Sequence, residues 1–195
     1  MSEDELTLRD GAVVGLFGGS FNPPHISHVL AAAAVVSLHA LDALLVIPTF
    51  MHPFAKSLAP YADRVAMCML AMGALPRVRI SRIEEELGGE SRTLRTVETL
   101  KARNPGWTLR LVMGADLVVE APKWHGFDRI TQLAEPLVLG RVGISYPGAP
   151  QPILPSASST EVRDFLREQD FAHACGLVPR LVLDYIKEHG LYEKV

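Results

Sequence analysis

Short apolar segments alternate with longer segments of helical character along nearly the whole chain. Five of the apolar segments are rich in Val, Ile and Leu and have the length of strands that are buried on both faces. They are residues 12–17, 43–47, 78–83, 109–113 and 137–139. Between them lie the predicted helices 26–39, 61–75, 93–103 and 127–134. This alternation predicts right-handed strand–helix–strand units, and therefore an α/β fold with a doubly wound parallel sheet.

The pattern changes after the last predicted strand. The proline-rich stretch from Ser145 to Pro155 predicts a loop, and two further helices are predicted at 159–168 and 179–188. We interpret residues 156–195 as a helical C-terminal subdomain that folds back on the sheet. The chain, 1–195, is then one domain with residues 1–10 as an N-terminal extension.

Composition and charge narrow the class of protein. A chain of 195 residues with 48% apolar and 21% charged residues is typical of one globular domain. The net charge of −3 argues against charge-driven nucleic-acid binding but is compatible with a small phosphate ligand. The polar, acidic start and the lack of a long apolar stretch predict a cytoplasmic protein with no membrane partner. Cys68 and Cys175 belong to no Cys-x-x-Cys pair, so we expect both to be free, buried thiols.

The segment that follows the first predicted strand has the parts of a phosphate site. It reads GGSFNPPHISH and runs from Gly18 into the first predicted helix. Glycines allow a ligand to approach the backbone, and the N–H groups at a helix N-terminus attract anions. His25 and His28, three residues apart on the first helical turn, point to the same side of the helix. The spacing therefore predicts two imidazoles beside a bound phosphate.

Other chemistries fit this segment less well. It lacks the G-x-G-x-x-G pattern of dinucleotide-binding dehydrogenases and the G-x-x-x-x-G-K-[ST] pattern of P-loop kinases. A zinc site is disfavoured because the two histidines have no third ligand nearby in the sequence.

The helix predicted from Thr93 has Ser91 and Thr93 as candidate capping residues, and it ends before Asn104-Pro105-Gly106.

Two motifs far apart in the chain resemble one superfamily. The segment GGSFNPPHISH resembles the G-G-T-F-D-P-x-H-x-G-H signature of the nucleotidyltransferases, and Ser158 to Arg163, SSTEVR, resembles their I-S-S-T-x-[IV]-R motif. A hydroxyl-rich helix start followed one turn later by an arginine is also a good phosphate clamp on physical grounds. The pair of motifs is much more specific than either motif alone.

The middle of the chain resembles one branch of that superfamily, the bacterial nicotinate-nucleotide adenylyltransferases. The matching elements are Thr93-Leu94-Arg95-Thr96, Met113-Gly114-Ala115-Asp116, Lys123-Trp124-His125 and the tail from Val178 to Tyr192. The resemblance implies a Rossmann-like nucleotidyltransferase fold and adenylyl transfer from ATP to nicotinate mononucleotide, a step of NAD biosynthesis. It also implies Mg²⁺ carried by the ATP phosphates, with no dedicated metal site on the protein.

The resemblance further implies a role for each matching residue. The ATP-binding residues are Gly18, Gly19, Ser20, Phe21, His25, His28, Gly114, Asp116, Ser159, Thr160 and Arg163. The mononucleotide-binding residues are Ser20, Phe21, Lys56, Thr93 and Trp124. Catalysis is expected from His25, His28, Lys56 and Arg163, because phosphoryl-transfer chemistry depends on positioning and on stabilising charge. Asp116 would bind the adenosine ribose, and Trp124 would stack on the pyridine ring.

Some positions depart from the family pattern. Ser27 replaces a glycine where ATP would approach the helix, Asn22 replaces an aspartate, and Arg92 stands where a tyrosine is common. Of the Pro-His-Lys element after the second strand, only Lys56 matches. These departures leave open a nicotinamide mononucleotide or another phosphorylated acceptor, and a non-catalytic nucleotide sensor. The oligomeric state is also open, and a homo-oligomer is compatible with the sequence.

Overall fold

A computed structural model describes residues 8–52, 57–118, 120–143 and 154–193 of the chain. The described strands form one parallel sheet with the order β3-β2-β1-β4-β5. The strands are β1 (Val13–Gly19), β2 (Ala43–Pro48), β3 (Val78–Ile80), β4 (Thr108–Gly114) and β5 (Ala134–Leu139). The doubly wound parallel sheet expected from the sequence is therefore confirmed.

Helices follow or precede each strand in the described part of the chain. They are α1 (Ile26–Leu38), α2 (Tyr61–Met72), α3 (Ile83–Leu87), α4 (Thr93–Arg103), α5 (Ala115–Val118), α6 (Phe127–Leu133), α7 (Ser159–Arg167), α8 (Phe171–Ala174) and α9 (Arg180–Glu188), with a 3-10 turn at Ala121–Lys123. No helix of these described residues is long and apolar enough to cross a membrane.

The two faces of the sheet are covered by different helices because successive strand residues point to opposite faces. Phe17 of β1 packs in a core that α1 and α2 close, whereas Leu16 packs in the opposite core with Val97 of α4 and Ile130 of α6. A third cluster joins Met67 of α2 to buried residues of α7, α8 and α9. We therefore propose that the helical C-terminal subdomain belongs to the same domain as the sheet.

The direction in which successive strands are added to the sheet reverses after β3, which makes the gap between β1 and β4 a topological switch point. From β1 the chain builds outward through β2 and β3, and it then crosses to the other side of β1 to form β4 and β5. Ligands of open parallel sheets bind at such a switch point, beyond the carboxyl ends of the strands. Gly18 and Gly19 end β1, and Gly114 ends β4. The fold thus brings both predicted glycine elements to one edge.

Several boundaries and environments differ from the sequence predictions. The third strand ends at Ile80, and Ile83 begins α3 because three glutamates follow it and favour a helix start over a strand. The fifth strand begins earlier than predicted, at Ala134. The predicted caps of α4 were wrong, since Arg92 occupies the N-cap position without a side-chain cap. Cys68 is buried, but Cys175 is exposed, so that expectation was wrong for one thiol.

Candidate active site

The carboxyl end of β1 opens onto free space. A Cβ atom placed on Gly18 would meet nothing within 4 Å, and Gly18 is exposed. The next turn is made by Phe21, which has a φ of 45°, and by a cis bond between Asn22 and Pro23. Phe21 is almost fully buried, with its ring 5.5 Å from that of Phe17. A nucleotide could therefore contact Phe21 through its backbone but not through its ring.

The two predicted histidines lie together at the start of α1. The ring centroids of His25 and His28 are 3.8 Å apart, with 33° between the ring planes. The Nδ1 atom of His28 accepts the backbone N–H of His25 at 3.1 Å, so a neutral His28 carries its proton on Nε2. The Nδ1 atom of His25 is buried and has no hydrogen-bond partner among the described residues. Such an orphaned buried atom is uncommon and indicates a site that a ligand or water completes.

Burial and a nearby cation keep both imidazoles neutral at pH 7. Burial, followed by the positive charge of Arg141, lowers the pKa of His25 to about 4. Burial lowers the pKa of His28 well below its usual 6.5, with further contributions from His25 and Arg141. Each ring therefore offers a neutral N–H donor to an anion, and a bound phosphate would raise both pKa values.

Asp116 lies just beyond the end of β4 and is held by Arg141. The Nη1 atom of Arg141 donates to Oδ2 of Asp116 at 2.8 Å, and its Nη2 atom donates to the carbonyl of Ala157 at 2.8 Å. A Cβ atom on Gly114 would collide with the Asp116 carboxylate, so a side chain there would have to displace that carboxylate from its present place. The second oxygen of Asp116 lies over the strand end, where a ribose hydroxyl could donate to it.

The start of α7 docks directly on the turn after β1. Ser158 caps this helix by accepting the N–H of Glu161 at 3.2 Å. The hydroxyl of Ser159 donates to the carbonyl of Pro23 at 2.9 Å. Arg163 donates to the carbonyl of Asn22 at 2.7 Å and to the hydroxyl of Thr160 at 3.2 Å. The two motifs that are far apart in sequence thus meet at one place.

Ser27, a departure from the family pattern, has its side chain committed within the protein. Its hydroxyl donates to the carbonyl of Pro155 at 3.1 Å, and the residue is 5% exposed. The same short segment is held at Ala157 by Arg141, and Leu154 pairs with Arg141 beyond β5. Ser27 therefore helps to hold the segment that leads into α7.

The predicted mononucleotide residues lie on neighbouring elements. Thr93 begins α4 and is partly buried, and Trp124 follows the 3-10 turn beyond β4. Leu94 lies against Gly126, which has a φ of 68°, so the start of α4 touches the turn after Trp124. The ring of Trp124 is partly buried and meets Phe127 edge to face at 6.3 Å. In this position, Trp124 can line the rim of the site and also offer a ring face for stacking.

The loop after β2 is tied to the segment before α4. The hydroxyl of Ser91 accepts the backbone N–H groups of Phe50 at 2.9 Å and of Met51 at 3.3 Å. Phe50 also donates to the carboxylate of Glu84 at 3.1 Å. Ser91, which the sequence offered as a helix cap, instead joins two loops. The predicted catalytic Lys56 lies outside the described residues.

Arg141 is a site residue that sequence reasoning missed. It contacts Asp116 directly and lowers the pKa values of both histidines by its charge. Its only signal in the sequence is a cation that follows a glycine just after the fifth strand. A residue in that place lies at the same sheet edge as the ligand, because parallel strands all end there.

A parallel sheet with an open glycine turn, side chains that can donate to an anion and a carboxylate at its switch point defines a nucleotide-binding protein of the nucleotidyltransferase class. Comparison with known proteins agrees. Residues 16–165 match the model of the cytidylyltransferase-like family. A probable nicotinate-nucleotide adenylyltransferase from Anaeromyxobacter sp. (strain K) is 43% identical over 189 residues, which cover 95% of this chain and 99% of the relative. One from Myxococcus xanthus is 38% identical, over 95% of this chain and 97% of the relative.

The fold also agrees with a solved structure. The nicotinic acid mononucleotide adenylyltransferase of Plasmodium falciparum, complexed with NaAD, superposes with a TM-score of 0.80 at 19% identity, over 93% of this chain and 97% of that chain. The chain belongs to the cytidylyltransferase-like family and, within it, to the nicotinate-nucleotide adenylyltransferase family. The resemblance noted from the sequence motifs is thereby confirmed.

Proposed function

We propose that the chain transfers the adenylyl group of ATP to nicotinate mononucleotide, which gives deamido-NAD and pyrophosphate in NAD biosynthesis. One observation carries this proposal. At the switch point of the sheet, the histidine pair of α1, Arg163 of α7 and the Arg141–Asp116 pair surround an open glycine turn. This set can bind a polyphosphate and a ribose side by side.

The reaction needs no general base. An oxygen of the mononucleotide phosphate is already anionic near neutral pH, and it attacks the α-phosphorus of ATP. A new P–O bond forms as the bond between the α-phosphorus and the β-bridging oxygen breaks, and pyrophosphate leaves with the electron pair. The site residues therefore have to position two anions in line and stabilise the charge that develops on the leaving group.

The ATP side supplies neutral and charged donors. We assign the N–H groups of His25 and His28 and the backbone N–H groups from Gly18 to Phe21 to the phosphates. Arg163, with Ser159 and Thr160 beside it, would bind the pyrophosphate end, which is supported by its position on the carbonyl of Asn22. Asp116, oriented by Arg141, would accept hydrogen bonds from the ribose.

The acceptor side would bind the mononucleotide between the loop after β2 and the turn after β4. Thr93, near the start of α4, would donate to the mononucleotide, and Trp124 would stack on the pyridine ring. Ser20 and Phe21 would contribute backbone groups that face both substrates. Lys56 is proposed as a phosphate-neutralising cation on the sequence match alone.

We expect Mg²⁺ to enter the site with ATP. Within residues 8–52, 57–118, 120–143 and 154–193, no group of three or more His, Cys, Asp or Glu side chains is placed to hold a metal ion. Phosphate oxygens are the natural ligands of Mg²⁺, which usually retains several waters. When bound, the ion would neutralise charge on the β- and γ-phosphates.

A paired assay tests the proposed function. Purified protein, ATP and Mg²⁺ are incubated with nicotinate mononucleotide or with nicotinamide mononucleotide, and pyrophosphate release is followed. We expect pyrophosphate and a dinucleotide product with the nicotinate form, and a lower kcat/KM with the amide form. Faster turnover of the amide form would assign the other acceptor to the same scaffold. Binding of ATP with no pyrophosphate from any mononucleotide would identify a nucleotide sensor instead.

A further inference from the structure

Arg64 is a buried cation that the mechanism above does not use. It lies on the first turns of α2 and is 1% exposed. In the described part of the chain, no carboxylate lies within ion-pair distance of its guanidinium. A buried charge without such a partner is unfavourable unless its donors are well satisfied. The arrangement of those donors therefore has to explain why an arginine is placed here.

All three nitrogen atoms of the guanidinium face backbone carbonyls of different loops. Nη1 donates to Ser20 in the turn after β1 at 2.9 Å, and Nε donates to Ala59 just before α2 at 2.9 Å. Nη2 makes a longer contact of 3.4 Å with Phe50 in the loop after β2. One planar side chain thus bridges three segments at the carboxyl edge of the sheet, a geometry that suits the fork of arginine.

Neighbouring contacts fix this arrangement from other directions. Asn22 accepts the backbone N–H of Ala59 at 2.9 Å and the hydroxyl of Tyr192 at 2.9 Å, so Ala59 is held on both sides. The ring of Tyr61 lies 5.4 Å from the Arg64 guanidinium and 5.1 Å from the ring of Phe50. The guanidinium is therefore packed as well as hydrogen-bonded.

We propose that Arg64 is a positioning residue that sets the spacing between the ATP loop at Ser20 and the acceptor loop at Phe50. This inference rests on the proposed function, because the two loops are assigned to the two substrates. In-line attack requires the mononucleotide phosphate and the α-phosphorus at a defined separation. A side chain that binds a carbonyl in each loop fixes that separation without touching either substrate.

Two variants of Arg64 test this role against a matched control. Arg64→Lys keeps a positive charge but lacks the planar fork, and Arg64→Met fills most of the space without charge or donors. The control is Met72→Ala, which opens a cavity at the far end of the same helix in the core beneath the sheet. We measure kcat, the KM of each substrate and the Kd of ATP by calorimetry, below the melting temperature of each variant.

We expect Arg64→Met to lower kcat about a hundredfold, the loss that a displacement of about 1 Å can produce. Arg64→Lys should lower kcat about tenfold, as expected for one lost hydrogen bond to a charged group, and ATP should bind more weakly to both variants. Met72→Ala should melt earlier but retain kcat and the Kd of ATP.

Two results would overturn the proposal. One is wild-type kcat and ATP affinity in Arg64→Lys, because the charge alone would then suffice. The other is a parallel loss in Arg64→Met and Met72→Ala, because the effect would then be one of stability. The Kd of ATP reports on the Ser20 loop independently of turnover. If the wild-type protein showed no transferase activity, the proposed function would be refuted. The Kd values of the variants would still decide whether Arg64 positions the Ser20 loop.

Discussion

In the proposed site, the residues assigned to ATP and those assigned to the sugar and ring of the acceptor are held in different ways. On the ATP side, Arg163 binds the carbonyl of Asn22, and Arg141 binds both Asp116 and the carbonyl of Ala157. On the acceptor side, the side chain of Thr93 makes no hydrogen bond with any described residue. Trp124 is placed by its backbone N–H to Ala121 and by packing on Phe127.

This difference predicts that the two sides affect different steps, the rate of transfer and the binding of the acceptor. The ATP side is preorganised by hydrogen bonds between segments distant in sequence, so its donors need little rearrangement to stabilise charge. On the acceptor side, the loop after β2 is also held by Ser91 and Glu84. The residues assigned to the pyridine ring and its sugar, Trp124 and Thr93, lie instead on a turn and a helix start, where small changes alter which ring fits. Substitutions on the ATP side should therefore lower the rate, whereas those on the acceptor side should change the binding of one substrate.

The largest expected effect is that of His28→Ala. It removes an N–H donor from the phosphates, and loss of one such donor lowers kcat by about a hundredfold or more. The variant should still fold, but its melting temperature should fall, because the His28 ring packs against Phe21 and its Nδ1 accepts the backbone N–H of His25. Steady-state kinetics below the melting temperature measures the loss of kcat, with His39→Ala at the opposite end of α1 as control. Near-normal turnover of His28→Ala would remove His28 from the mechanism.

The second effect is the pH dependence of the free energy of unfolding that arises from His25 on the ATP side. The pKa of His25 is about 4 in the folded protein and near 6.5 when unfolded, so the unfolded chain binds more protons between these values. Stability from this residue is complete above pH 6.5 and falls as the pH drops toward 4, by about 3 kcal/mol in all at 1.36 kcal/mol per pH unit.

Urea unfolding at pH 7.5 and 4.5 measures this loss. His25→Gln, which does not titrate, should lose about 2.5 kcal/mol less than the wild type between these pH values, because pH 4.5 lies above the folded pKa. An equal loss in both proteins would show that His25 is not a buried neutral base.

A smaller effect is expected from Trp124→Ala on the acceptor side. Loss of ring stacking should raise the KM of the mononucleotide about three- to tenfold, as expected for an aromatic contact of about 1 kcal/mol. The KM of ATP should stay within twofold of the wild type, and Trp124→Phe should recover most of the loss. If the KM of ATP rises as much as that of the mononucleotide, the two sides are not separate.

The smallest effect is expected from Ser27→Gly, which restores the residue common in the family. It removes the hydrogen bond to Pro155 and should lower the free energy of unfolding by about 1 kcal/mol. Because the hydroxyl is turned into the protein, the KM of ATP should not fall. Thermal unfolding and ATP kinetics check both points, and a clearly tighter ATP complex would mean that Ser27 obstructs the nucleotide.

Local patterns account for what the sequence predicted well. The helix 93–103 has the predicted ends, and His25 and His28 share one side of α1, because both features depend on residues close in the chain. Arg141 and Arg64 were missed because their partners lie in other segments: Ala157 and Asp116 for the first, Ser20 and Phe50 for the second. The sequence pattern of an amphipathic helix does not show that one of its arginines hydrogen-bonds to three separate segments.

The direct test of the adenylyl transfer follows the oxygen atoms. Nicotinate mononucleotide labelled with ¹⁸O in its phosphate is incubated with ATP, Mg²⁺ and the protein, and the products are analysed by mass spectrometry. Attack by the mononucleotide phosphate on the α-phosphorus predicts that all the label is retained in the dinucleotide and none enters pyrophosphate. Label in pyrophosphate, or the absence of a dinucleotide, would contradict the proposed reaction.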